Sequence, residues 1–268
     1  MTPPKHLVTG ATNGIGRFTA LQLAARGALV LVHGRTEARA REAVAWLLAR
    51  RRGDFVPVWG DFGSLTEVRG LADQVIALAP VLDVLINNAG VFLPERQVSA
   101  DGHELTLQVN HLAPFLLTLK LRDALRAAPE ARVVTVSSMA HSSGRVDLAD
   151  LEGERGYDGY RAYAQTKLLN IHFTHELARR FSGTRVTTSV LHPGVIGTKL
   201  LWAGFPLAGA PAETGARTTV YCATAPNLTT GRYYVDAKEA RCAAHATDVE
   251  LERTLWELSE RLVGEPWT

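Results

Sequence analysis

Cysteine is nearly absent: the chain of 268 residues has two, Cys222 and Cys242. Two cysteines cannot build a disulfide framework or a zinc site of Cys spacing, and they read as free thiols of a reducing compartment. An excess of charge of one sign is also missing. Lys and Arg number 29 against 27 Asp and Glu, a net charge of +2, with no basic block and no acidic tail. Neither nucleic acid nor an anionic membrane is therefore implied as a partner. The run Arg50-Arg51-Arg52 ends a helix, where cations suit the dipole. No apolar stretch reaches the ~20 residues that cross a bilayer. The N-terminus lacks the charged-then-apolar pattern of a secretion signal, so a cytoplasmic protein without a membrane span is the expectation. There is no internal repeat, low-complexity tract or clear linker. What is present is 46% hydrophobic and 21% charged, an ordinary globular composition over a length that suits one large α/β domain.

The first third carries a nucleotide signal. Residues 5–9 make a short apolar strand. The turn Thr9-Gly10-Ala11-Thr12-Asn13-Gly14-Ile15-Gly16 follows, then a helical stripe through Phe18, Ala20, Leu21, Leu23 and Ala24 closed by Gly27, then the strand Leu29-Val30-Leu31-Val32-His33. Strand, glycine turn, helix and strand form the context of a dinucleotide fingerprint, in which glycine lets backbone approach a pyrophosphate at the helix start. Gly10, Thr12, Asn13, Gly14, Ile15 and Gly16 are the expected contacts; the plainer alternative is that the glycines only cap a tight turn. An acidic residue at the tip of the second strand would select NAD. Here Gly34-Arg35 stands there, and a guanidinium suits a 2′-phosphate, so NADP(H) is favoured over NAD(H). Glu37, the rival, reads as a first-turn residue of a helix capped by Thr36.

The alternation continues. A helix over 37–52, the strand Phe55-Val56-Pro57-Val58-Trp59, a helix over 64–78 and the strand Leu82-Asp83-Val84-Leu85-Ile86 imply a Rossmann-type α/β fold. It is a single doubly wound parallel sheet with helices on both faces. Asp61 and Phe62 follow the third strand, where Asp61 can meet an adenine edge. Asn87-Asn88-Ala89-Gly90 ends the fourth, where ligands bind in such sheets, although an Asx-turn would explain it as well. A long helix is expected over 101–127, then the strand Val133-Val134-Thr135-Val136-Ser137, which delivers Ser138.

Tyr163-Ala164-Gln165-Thr166-Lys167 opens a helix that continues through Leu168, Leu169, Ile171, Phe173, Leu177 and Phe181. Residues four apart share a face, so the phenol and the ammonium point the same way. A nearby cation lowers a phenol's pKa and fits it to exchange a proton with an alcohol oxygen. Alone, the pair reads as well as a solvated surface contact.

Taken together, four motifs in this order resemble the short-chain dehydrogenase/reductase family: Thr9-Gly10-x-x-x-Gly14-x-Gly16, Asn87-Asn88-Ala89-Gly90, Ser138, and Tyr163-x-x-x-Lys167. The segments Gln108-Val109-Asn110-His111-Leu112-Ala113-Pro114-Phe115, Val136-Ser137-Ser138-Met139-Ala140-His141 and Leu191-His192-Pro193-Gly194 resemble its retinol-dehydrogenase-like branch. The resemblance implies an NAD(P)-dependent oxidoreductase. Ser138 would polarise the substrate carbonyl and Tyr163 would transfer the proton. Lys167 would hold the nicotinamide ribose and lower the tyrosine pKa, and Asn110 would position a water beside Lys167. Asn88, Ala89 and Gly90 would line the cofactor. The backbone after Pro193-Gly194, with Val195 and Thr198, would meet the nicotinamide carboxamide. The 24 residues between Ser138 and Tyr163 include an insert over about 144–160. It precedes the helix that many members use for dimerisation, and a monomer or homodimer is expected.

His192 reads as a satisfied loop histidine, with no partner spaced for a metal, and no metal is expected. The apolar stretch 199–211, with Leu200, Leu201, Trp202, Phe205 and Leu207, is unlikely to lie bare in water. By resemblance it is a substrate lid, within about 195–215, over a bulky apolar small molecule. Gly231-Arg232-Tyr233-Tyr234-Val235 reads as the last strand and 248–262 as an amphipathic closing helix with Trp256 inward. Two rival functions stand: a non-redox dehydration or isomerisation on the same fold, and a nucleotide-binding regulator without turnover.

Overall fold

The computed structural model describes residues 2–204 and 208–268. Its eight strands are β1 (Lys5–Val8), β2 (Leu29–Gly34), β3 (Asp54–Trp59), β4 (Val84–Asn87), β5 (Ala131–Val136), β6 (Val186–His192), β7 (Arg232–Val235) and β8 (Lys238–Ala240). They form one sheet in the order β3-β2-β1-β4-β5-β6-β7-β8. All neighbours are parallel except β7 and β8. The helices are α1 (Gly14–Ala24), α2 (Glu37–Leu48), α3 (Leu65–Leu78), α4 (Leu105–Leu107), α5 (Ala113–Lys120), α6 (Arg122–Arg126), α7 (Gly159–Arg180), α8 (Lys199–Gly204), α9 (Ala212–Thr224) and α10 (Val249–Val263).

The central strands are apolar on both faces because both are covered, as a parallel sheet requires. Successive side chains alternate across the sheet. Leu7, Leu31, Leu85 and Val133 therefore enter one core with Leu71, Phe115, Phe173 and Trp256. Val8, Val30, Val32, Ile86 and Val134 enter the other with Leu23, Leu47 and Val220. Strand order reverses direction between β1 and β4. That switch point opens a crevice at the carboxyl ends of the strands, and every residue of the expected site lies near it or along the ends of β2, β3, β5 and β6.

Two expectations are corrected. The helix expected over 101–127 is broken into α4, a π-helical turn over 108–112, α5 and α6. In the π turn the Ala113 amide reaches back five residues to the Gln108 carbonyl. Such turns have no compositional signature and concentrate at functional sites; this one carries Asn110. The sheet also does not end at β7. Lys238–Ala240 turns back as an antiparallel edge, and a three-residue Lys-Glu-Ala segment offers no apolar alternation by which to find it. Among the described residues no helix is long and apolar enough to cross a membrane.

Candidate active site

The glycine turn is fixed to the sheet by few but saturated groups. The Thr9 hydroxyl donates to the Ile86 carbonyl at 3.0 Å and accepts from the Asn88 and Ala89 amides at 2.9 and 3.0 Å. Asn88 Nδ2 donates to the Thr9 and Gly10 carbonyls. Gly10 and Gly14 have φ of +62° and +52°, a region glycine enters without penalty. At Gly16 a Cβ would lie 2.5 Å from both Asn88 Nδ2 and the Gly10 carbonyl oxygen. One anchor was missed by sequence reasoning. The Gly10 amide donates to His33 Nδ1 at 3.1 Å, and His33 Nε2 meets the Gly60 carbonyl at 2.9 Å. An amide can only donate and a carbonyl only accept, so the ring is neutral with its hydrogen on Nε2. Burial pushes its pKa down to about 4.

The three helix starts along this edge differ. Thr36 caps α2 and Ser64 caps α3, each with a glutamate in the first turn, Glu37 and Glu67. Asn13 makes no side-chain cap on α1, and α1 has no acidic residue in its first turn. Its positive end and free amides suit an anion, so the turn fits the pyrophosphate of a dinucleotide.

At the tip of β2, a Cβ on Gly34 would lie 2.8 Å from the Ala40 amide and from Thr12 Cγ2, which keeps this point bare. Arg35 beside it is 62% exposed, with its Nε 3.9 Å from Asp61 Oδ2. Glu37 pairs with Arg41 along α2 at 2.7 Å. Asp61 also accepts from the Gly63 amide. The Phe62 ring is buried, stacked on His33 with centroids 4.8 Å apart, so its side chain belongs to the core.

The structure brings Ser138, Tyr163, Lys167 and Asn110 together. Asp158 caps α7 by accepting from the Arg161 amide at 2.8 Å, and one turn later Tyr163 and Lys167 face the end of β5. The two adjacent serines separate by role. Ser137 Oγ is buried and donates to the Lys167 carbonyl at 2.7 Å, tying β5 to α7. Ser138 Oγ accepts from the Ala140 amide and lies close enough to the Tyr163 hydroxyl to favour its ionised form. Lys167 Nζ donates to the Val136 carbonyl at 3.1 Å and lies 5.5 Å from the centroid of the Tyr163 ring. The Asn110 amide is spent on the Val91 backbone and on Thr166 Oγ1. A Cβ on Gly90 would be 3.2 Å from Asn110 Oδ1 and 3.5 Å from Lys167 Nζ, so both groups converge on one bare backbone point.

The expected depression of the phenol pKa is not what the protein's own groups produce. Burial outweighs the influence of the nearby Ser138 hydroxyl and the phenol is pushed up to about 12, while burial pulls Lys167 down to about 8. Desolvation disfavours whichever form is charged, so it drives the two groups in opposite directions.

Past β6, Pro193, Gly194, Val195 and Thr198 line the same cavity of about 380 Å³ as Ser138, Tyr163 and Lys167. Met139, Ala140, Tyr160, Ile196, Leu200 and Leu201 also line it, with Ser142, Ser143 and His192 among them. The segment after Val195 is clasped at its base, where Gly197 donates to the Ala210 carbonyl and Ala210 to that of Val195. A Cβ on Gly209 would meet the Gly197 amide at 2.2 Å. Trp202 is 66% exposed, and the expected contributions of Phe205 and Leu207 lie outside the described residues. A second cavity, of about 480 Å³, lies under the insert. The Arg145, Arg155, Arg161 and Asp150 side chains around it are bonded to the insert's own backbone, so it offers no comparable chemistry. Among the described residues no His, Cys, Asp and Glu cluster could hold a metal.

A doubly wound sheet, an anion-ready helix start at its switch point and a serine–tyrosine–lysine group across the crevice define a nucleotide-dependent oxidoreductase. The comparisons with known proteins make this particular. A family model described as short chain dehydrogenase matches residues 5–206. Human retinol dehydrogenase 14 is 38% identical, over 96% of this chain and 85% of its own. Mouse polyprenol dehydrogenase is 44% identical, over 96% and 83%. A solved structure of an uncharacterised protein from Mycobacterium paratuberculosis superposes with a TM-score of 0.84 at 33% identity, covering 99% of this chain and 97% of the other. The Pseudomonas aeruginosa RhlG/NADP active-site complex superposes at 0.68 with 26% identity, covering 86% and 93%. The chain belongs to the short-chain dehydrogenase family, in its retinol-dehydrogenase-like branch, and is an oxidoreductase acting on CH–OH or C=O with a nicotinamide cofactor.

Proposed function

We propose that the chain is an NADP(H)-dependent oxidoreductase of an apolar, bulky carbonyl compound or its alcohol, acting as one domain with a lid over about 195–215. The observation that carries this reading is the convergence of the Ser138 and Tyr163 side chains, with Lys167 beside the Tyr163 ring, on one cavity that Met139, Ile196, Leu200 and Leu201 also line. The cofactor supplies or accepts the hydride. The protein binds and orients, and it moves the proton. Gly10, Thr12, Asn13, Gly14, Ile15 and Gly16 hold the pyrophosphate, and Arg35 meets the 2′-phosphate in place of a selecting carboxylate. Asp61 and the Phe62 backbone edge the adenine. Asn88, Ala89, Gly90, Tyr163, Lys167, Pro193, Gly194, Val195 and Thr198 surround the nicotinamide half.

In reduction, Ser138 Oγ holds the carbonyl oxygen and Tyr163 Oη gives it a proton. A phenol held at about 12 is fully protonated at neutral pH and needs a cation beside it to become a better acid. The Lys167 cation favours the phenolate left behind. Asn110 fixes Val91 and Thr166 around Lys167, and by resemblance orients a water there. The names of the relatives, retinol and polyprenol dehydrogenases, support a long apolar substrate, and the NADP complex of a structural relative supports the cofactor choice.

The test is turnover of decanal against acetone with NADPH and NADH. Decanal with NADPH is the preferred pair. Tyr163→Phe lowers turnover by about 10²–10⁴-fold, the usual range for removing a general acid, while NADPH still quenches protein fluorescence. Turnover within a few-fold of wild type in that variant would refute the reading.

A further inference from the structure

The peptide group that follows Ser138 is held at both ends by histidine rings. Its carbonyl, on Ser138, meets His141 Nδ1 at 2.7 Å. Its amide, on Met139, donates to His192 Nδ1 at 3.2 Å. The rings come from separate segments: His141 lies in the 3-10 turn after β5 and His192 is the last residue of β6. His192 extends a ladder that has run out of backbone. The Ser137 amide still finds the Leu191 carbonyl at 2.8 Å. Two residues on, where Pro193 turns the chain away, a ring nitrogen takes the carbonyl's place. His141 has a second duty, since its Nε2 accepts from the Ala243 amide at 3.1 Å.

The partners fix both tautomers. The Ser138 carbonyl can only accept, so His141 carries hydrogen on Nδ1. The Ala243 and Met139 amides can only donate, so His141 Nε2 and His192 Nδ1 are bare. His192 grips Met139, and His141 grips Ala243, only when neutral; the bond from His141 Nδ1–H to the Ser138 carbonyl is made in either protonation state.

We propose that His141 and His192 are a pair of positioning residues that clamp the Ser138–Met139 peptide and thereby set the direction of the Ser138 hydroxyl. This rests on the reading of Ser138 as the group that holds the substrate oxygen. Neither ring touches the reacting atoms in this proposal. They act through the backbone, adding to the bond that the Ser138 carbonyl accepts from the His141 amide at 3.2 Å, and so keep Ser138 Oγ turned toward Tyr163. Burial lowers the pKa of both rings. The charge of His245 lowers His141 further and the charge of His141 lowers His192, while Asp236 opposes this at His192. Arg145 faces His245 at 3.4 Å, and Tyr233 packs edge-on against His141. Both pKa values lie below the ordinary histidine value, so both rings are neutral at neutral pH; acidification releases the His192 arm of the clamp, while His141 still donates to Ser138.

The experiment compares two substitutions at each site in the full chain, with decanal and NADPH. Asparagine offers an oxygen where His192 has Nδ1, and an N–H where His141 has its Nδ1–H; alanine and leucine offer neither. His192→Ala and His141→Leu lower kcat by about 30-fold, on the scale expected of a misplaced catalytic group, with KM within about threefold. His192→Asn and His141→Asn recover most of that loss, and His192→Asn moves the acid limb of the kcat profile to lower pH. A readout without turnover is hydrogen exchange of the Met139 amide, which quickens in His192→Ala and slows again in His192→Asn. The proposal is overturned if the folded alanine and leucine variants keep kcat within twofold, if asparagine is as damaging as they are, or if Met139 exchange does not change. Ser138→Ala separates the two levels. Loss of turnover there with full turnover in the histidine variants overturns the clamp alone. Full turnover in Ser138→Ala overturns the site reading beneath it.

Discussion

The floor of the crevice and its outer rim are built on opposite principles. On the floor almost every polar group is paired with backbone: Thr9 with three backbone groups, Asn88 with two carbonyls, Asn110 with both ends of Val91, Lys167 with Val136. Small residues stand wherever a Cβ would strike backbone, as at Gly10 and Gly16. The rim is Met139, Tyr160, Val195 and Trp202, all exposed, and its clasp at Val195, Gly197 and Ala210 is three residues wide. A floor so determined can hold one shape for one cofactor. The part of the rim beyond the Val195–Ala210 clasp can be re-cut for different substrates without disturbing the chemistry below.

The comparison breaks most sharply if the floor tolerates a methyl group. Gly16→Ala places a Cβ 2.5 Å from Asn88 Nδ2 and the Gly10 carbonyl oxygen. Overpacking of this kind costs about 1–3 kcal/mol, here directed into the turn that faces the cofactor. NADPH affinity, by fluorescence titration, is expected to drop by about 100-fold. A normal affinity would mean that the turn has slack and is no different in kind from the rim.

Arg35→Ser comes next. A charge-assisted bond to a phosphate contributes about 1.5–3 kcal/mol, so preference for NADPH over NADH should fall by about 10–100-fold, with kcat nearly unchanged. If selectivity does not move, the exposed guanidinium serves only its ion pair with Asp61.

A third test asks what keeps the floor still. The helix that carries Tyr163 and Lys167 is secured at its far end by Glu252 of α10, which accepts from His175 at 2.8 Å and also pairs with Arg179. Burial alone would raise this carboxyl, but the neighbouring His172 ring and the bonds from His175 and Arg179 outweigh it and hold it at about 2. Its folded pKa lies below the unfolded value, so its stabilisation is complete above the ordinary carboxylate range and is lost as pH falls from there toward about 2. Glu252→Gln should cost about 3 kcal/mol, a melting-point loss of roughly 6–12 °C seen at neutral pH and shrinking on acidification. KM values should be close to those of the wild type.

How much of this was legible follows from the range of each interaction. The order of strands and helices was readable because apolar alternation and glycine turns are local, and so were Tyr163 and Lys167, one turn apart on a helix. Ser138 could be named only by its place in a motif, and which of two adjacent serines faces the crevice depended on α7, whose Lys167 carbonyl captures Ser137. His33, His141 and His192 escaped because their partners lie at Gly10, Gly60, Ala243 and Met139, separations no spacing rule covers. The π turn at 108–112 and the short edge strand β8 left no compositional trace.

The rim is where the sequence had least to say, and the smallest expected effect tests it. Trp202 lies beside Leu200 and Leu201, which line the cavity, yet its own side chain is 66% exposed. An indole so exposed gains by covering an apolar tail that extends out of a cavity of only about 380 Å³. Partial burial on both partners is worth about 1 kcal/mol at ~25 cal/mol per Å². Trp202→Ala should then raise KM for decanal about fivefold and leave that for propanal unchanged. Equal effects on the two aldehydes would mean that Trp202 acts on the floor beneath it. The contrast between a fixed base and an adjustable edge would then have to be redrawn with α8 on the fixed side.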